Sequence, residues 1–231
     1  MRTKILLAAA AALIAGVVAS NAQVYSANIV GYAVTANSKN GQFVLLANPL
    51  DASQNGGNVL TNLFPGINGG TTVQVWNGTG FDVYKFSAGS WQNTANSTNA
   101  NNFALPPGQG FFVQLGGAKS YTNTFTGQVV PGQHGTSVTN LIMPGLQLVG
   151  SLVPYADYVT NTSTINLIAK GGTTLQQWDQ VGQQFIVYKF SAGAWQNLNT
   201  SLAEVPFINV SQGFFFQPNG TTSNVWVEAS P

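Results

Sequence analysis

Side chains able to do acid–base or nucleophilic chemistry are few. The carboxylates are Asp51, Asp82, Asp157, Asp179, Glu204 and Glu228, His134 is the single histidine, and cysteine is absent. Glycoside hydrolysis needs two carboxylates opposed across a cleft, and no two of these acids stand at equivalent places in the repeat described below. Thiol chemistry and zinc–thiolate sites have no ligand, and the Gly-x-Ser-x-Gly nucleophile elbow is missing. His134, in Pro131-Gly-Gln-His-Gly135, reads as a solvated loop residue. Asp51-Ala-Ser-Gln-Asn-Gly56 begins like a calcium loop, but Asn62 stands where the closing acid is required, so it reads as an Asx-rich turn. The expectation is a protein that is not an enzyme, with no metal and no cofactor.

The residues that could bind are aromatic and amide. In the segment 72–93, period-two alternation puts Thr72, Gln74, Trp76, Phe81, Val83, Lys85 and Gln92 on one face. The same face recurs unchanged as Thr174, Gln176, Trp178, Phe185, Val187, Lys189 and Gln196. A tryptophan flanked by Gln and Lys can stack on a sugar ring and hydrogen-bond its hydroxyls. The same face can equally be an inter-sheet or intermolecular packing surface. The opposite face, Val73, Val75, Tyr84, Phe86 and Trp91, is apolar and should be core, as should Leu175, Tyr188, Phe190 and Trp195.

The elements that carry these faces are short strands separated by Asn, Gly, Ser and Pro. They are expected near 24–35, 42–48, 72–77, 81–87, 90–93, 110–115 and 122–130. A second set falls near 136–142, 146–153, 174–178, 184–191, 194–197, 212–217 and 223–229. Single helical turns are expected at Asn58–Phe64 and Ser163–Ala169. Ala88-Gly89 reads as a two-residue hairpin turn that sets Phe86 opposite Trp91, and a turn at Gly78-Thr79 sets Trp76 opposite Phe81. Val83–Asn93 recurs as Val187–Asn197 with one mismatch, Ser90 against Ala194, and Gln109–Gln114 recurs as Gln212–Gln217 with Val113 replaced by Phe216. We read this as a duplication. The expected fold class is all-β, two tandem antiparallel units of meander, sandwich-like or barrel-like architecture, over 23–130 and 131–231.

Residues 1–22 read as a secretory signal peptide: Met1-Arg-Thr-Lys4 supplies charge, Ile5–Ala19 an apolar run, and Ser20-Asn-Ala22 a small-residue exit. Removing Arg2 and Lys4 from the seven basic residues leaves five against six acids, a net charge of −1. That balance excludes a nucleic-acid binder, which needs clustered Lys and Arg, and weakens mutual repulsion between copies. No transmembrane helix is expected beyond the leader. The chain is placed outside the cytoplasm, extracellular, at the cell surface or in the periplasm.

The pattern Val24-Tyr-Ser-Ala-Asn-Ile-Val-Gly-Tyr32, Leu46-Ala-Asn-Pro-Leu50, Trp76-Asn-Gly78 and Gly110-Phe-Phe112 resembles a group of uncharacterised secreted, internally duplicated β-rich proteins of environmental bacteria. The resemblance implies export and duplication and carries no site residues. The expected role is a non-catalytic envelope or extracellular protein acting through self-association or a matrix partner. The alternative is carbohydrate binding through the Trp76/Trp178 face, with a glycan as ligand.

Overall fold

The computed structural model of the protein describes residues 41–117, 121–130 and 137–229, together with the backbone of 30–34. The expected signal peptide, His134 and residues 24–29, 35 and 136 of the expected strands lie outside the described residues.

The described chain is mostly β, in several antiparallel sheets. In the first half β1 (Val30–Val34), β2 (Phe43–Ala47) and β3 (Leu50–Asp51) precede a short helix α1 (Leu60–Leu63). Then come β4 (Thr72–Trp76), β5 (Phe81–Ser87), β6 (Ser90–Asn93), β7 (Gly110–Gln114) and β8 (Thr124–Val129). The second half holds β9 (Ser137–Ile142), β10 (Gln147–Gly150), β11 (Asp157–Tyr158), β12 (Thr174–Asp179), β13 (Gln184–Ser191) and β14 (Ala194–Asn197). It ends with β15 (Leu202–Ala203), β16 (Phe207–Ile208), β17 (Gly213–Gln217) and β18 (Asn224–Ala229). The two main sheets are ordered β2-β7-β4-β5-β6 and β10-β17-β12-β13-β14-β15, flanked by β1-β8-β3, β18-β9 and β11-β16. Among the described residues no sheet closes on itself, which corrects the barrel-like alternative.

The hairpins follow the alternation of their residues. Trp76 pairs with Phe81 and Phe86 with Trp91, while Trp178 pairs with Phe185 and Phe190 with Trp195. Ala88 and Ala192 take positive φ values of 49° and 50°, each followed by a glycine near 80°, the geometry of a tight hairpin turn. The Trp76–Phe81 turn is held by Asn77, whose Oδ1 accepts from the amides of Thr79 (3.1 Å) and Gly80 (2.9 Å). Ser163–Ala169 departs from the expected helix. Asn161 Oδ1 accepts from the Ser163 amide (3.0 Å) and Asn166 has φ 47°, so the segment turns without propagating.

Each half encloses its own core. Val73, Val75, Tyr84 and Trp91 are buried with Phe64, Phe111 and Phe125 in the first, and Leu175, Tyr188 and Trp195 with Phe214, Phe216 and Trp226 in the second. Each such side chain contributes roughly 1.5–3 kcal/mol on burial. A third cluster lies between the two main sheets, built on Leu45, Phe112, Leu148 and Phe215.

The halves differ in one short strand. In the first, Leu50 and Asp51 pair with Val129 and Gln128, so β8 is flanked on both sides. Register puts Pro154 where Asp51 stands, and proline has no N–H for a ladder. No strand forms there.

Candidate functional site

The twin aromatic faces turn toward each other. Phe81 and Phe185 sit beside Trp76 and Trp178 at centroid distances of 5.2 and 4.9 Å. Each indole then meets the other half edge-on: Trp76 lies 5.6 Å from Phe215, and Trp178 lies 5.4 Å from Phe112. The two N–H groups cross as well. Trp76 Nε1 donates to the Leu146 carbonyl (3.0 Å) and Trp178 Nε1 to the Phe43 carbonyl (2.9 Å). Leu146 and Phe43 occupy the same register position, two residues before Leu148 and Leu45, which pair with Phe215 and Phe112. Each contact therefore has its counterpart with the halves exchanged.

The expected site residues separate along the strands. Trp76, Trp178 and Phe185 are half-buried in the inter-sheet cluster, and Phe81 is 37% exposed at its rim. Gln74 and Gln176 are half-buried one step along. Lys85 opposite Gln92, and Lys189 opposite Gln196, are exposed at the far end of each face. The aromatic end is engaged across the halves, while the amide and ammonium end opens to solvent.

One further contact joins the halves. The turn after Trp178 is two residues longer than the turn after Trp76, and Gln183 sits in it at φ 52°. Its Oε1 accepts from the Phe43 amide (2.8 Å) and its Nε2 donates to the Phe43 carbonyl (3.1 Å), completing that strand edge as a neighbouring strand would.

Most carboxylates are held locally. Asp51 accepts from the Ser53 amide (2.8 Å), the Asx turn expected there, and Asp82 from Asn77 (3.0 Å). Hydrogen bonds from Thr164, the Tyr158 amide and Asn161 hold Asp157 below the usual carboxylate range. Glu204 accepts from Asn197 (2.6 Å) and from the Tyr188 hydroxyl (3.3 Å).

Glu228 is different, because it is fully buried. Its Oε1 accepts from the Leu152 amide (2.9 Å), and its Oε2 meets Ser151 Oγ. Ser151 Oγ donates to that carboxyl, lies within hydrogen-bond distance of the Val153 carbonyl (2.7 Å), and accepts from the Val153 amide (3.0 Å). Burial, opposed by the hydrogen bonds from Ser151 and the Leu152 amide, pushes Glu228 up to about 8. This carboxyl ties β18 to the segment that Pro154 keeps out of a ladder. Its signal in the sequence was the alternation of Trp226 and Glu228 on one face of a strand.

Comparison with known proteins gives no match among family models, curated proteins or solved structures.

Proposed function

We propose that the protein is a non-catalytic exported component of the envelope or extracellular space that acts through protein–protein or self-association contacts. In this reading a duplicated β-unit packs face to face with its own copy, sandwich-fashion, and the pair forms a rigid block. The face shared by the halves supports it, since both indole N–H groups are engaged by backbone of the opposite half. The observation that carries the contact role is the outer surface of β9 and β18. There Leu141, Val225 and Met143 are 57%, 52% and 49% exposed, in a chain too weakly charged to repel its neighbours. Sedimentation velocity over a concentration series tests it: growth in mass with concentration is expected, and a monomer throughout would count against self-association.

Glycan binding is the second reading. It is favoured by the exposure of Lys85, Gln92, Lys189 and Gln196 on the same face as the aromatic cluster, at its far end. A glycan array with wild type and the Lys85→Ala/Lys189→Ala variant tests it, binding by wild type alone being the expected result.

A further inference from the structure

Several strand edges are closed from within. On β2, Phe43 is met by Gln183, and the Ala47 amide donates to the Ser211 carbonyl (2.9 Å). On β10, the Leu146 carbonyl accepts from Trp76, and the Gly150 amide donates to the Gly108 carbonyl (2.8 Å). The far side of β18 is occupied too: the Ala229 amide donates to the Thr164 carbonyl, and Asn166 Nδ2 donates to the Val227 carbonyl, both at 3.1 Å.

Those last two bonds fix the phase of the β9–β18 ladder. Val227 and Ala229 turn their backbone groups away from β9, so their partners Thr139 and Ser137 turn theirs away from β18, and by alternation so does Leu141. No other described residue hydrogen-bonds to the outward groups of these three. Folded proteins usually blunt such an edge with a charge, a proline or a bulge, and Ser137-Val-Thr-Asn-Leu-Ile142 has none of them. The side chains of Ser137, Thr139 and Leu141 are exposed, whereas Val138 and Ile142 are buried.

We propose that β9 docks a second copy of this chain, two β9 strands pairing antiparallel about a two-fold axis at Thr139. The proposal rests on the self-association reading and names its surface. The register argues for a copy over an unrelated strand. With Thr139 on the axis, Ser137 of each copy meets Leu141 of the other, so every outward N–H and C=O finds a partner. An uncharged strand brings no like charges together at the axis. The joined sheet carries Leu141 and Val225 of both copies on one face, as two apolar patches related by the two-fold on either side of the paired Thr139 residues.

Sedimentation velocity on the full chain, as wild type, Thr139→Lys and Thr139→Glu, tests it. Wild type is expected to dimerise. Each variant, placing like charges face to face, is expected to raise the dissociation constant on the order of ten-fold or more, and mixing the two variants to restore association. Hydrogen exchange on wild type needs no variant: the Thr139 and Leu141 amides should slow as concentration rises. Dimerisation that Thr139→Lys leaves unchanged, or amides whose exchange ignores concentration, would overturn the β9 edge and leave self-association standing. A monomer throughout the series would overturn both.

Discussion

Ala47 and Gly150 occupy one register position in the two halves and lie against each other. A Cβ added to Gly150 would come within 2.2 Å of the Cβ of Ala47. Gly150 does not need a left-handed backbone, so the demand is purely for space. One methyl fits where the halves meet, and two do not. Gly150→Ala should therefore destabilise the fold by about 1–3 kcal/mol through overpacking. Adding Ala47→Gly should recover much of that loss, less the roughly 0.5–1 kcal/mol of a strand glycine. Denaturant melts of the two single variants and the double variant measure the coupling.

Glu228 makes stability depend on pH in an unusual direction. Its folded value of about 8 lies above the ordinary 4.5, so the folded chain holds a proton that the unfolded chain releases. That contribution is complete below 4.5 and is lost as pH rises toward 8, with a limiting slope of about 1.4 kcal/mol per pH unit. Glu228→Gln keeps a neutral donor and acceptor in place and should flatten the profile. Urea denaturation between pH 5 and 9 compares the two, and identical slopes would remove Glu228 as the cause.

The indoles at the shared face should behave as packing residues. Trp178→Phe removes the N–H donated to Phe43 and should cost about 1 kcal/mol. Trp178→Ala also empties the space against Phe112 and Phe185 and should cost about 3 kcal/mol. Trp76 variants should follow the same order. Thermal unfolding followed by circular dichroism reads each change, and a full-stability Trp178→Ala chain would contradict the packing.

Two alanines carry strain that a side-chain change can relieve. Ala88 and Ala192 sit in the left-handed region, which asparagine tolerates better. Ala88→Asn and Ala192→Asn should each stabilise by about 0.5–1 kcal/mol, read as a raised denaturation midpoint at unchanged slope.

The long strands and their facing residues were legible because alternation of large apolar and polar side chains fixes register. Val75 facing Asp82, mirrored by Gln177 facing Ile186, was readable from the sequence and is the pairing observed. The two-residue strands β3, β11, β15 and β16 were not, since two residues carry no period and their pairing is decided at a distance. The face of Trp76 and Trp178 could be drawn, but its occupant could not. Whether an apolar sheet face meets another sheet or a ligand depends on how the halves dock, which local pattern does not encode. Gln183 was invisible for the same reason: a turn glutamine gains meaning only when Phe43 arrives beside it.

That glutamine has a wider consequence. An amide lent by a loop impersonates the next strand and acts as a stopper, so the layer ends at Phe43 with its edge chemically satisfied. Growth by adding strands is barred at that border, and the chain is built as a finite body there, not as a unit of an endless ribbon.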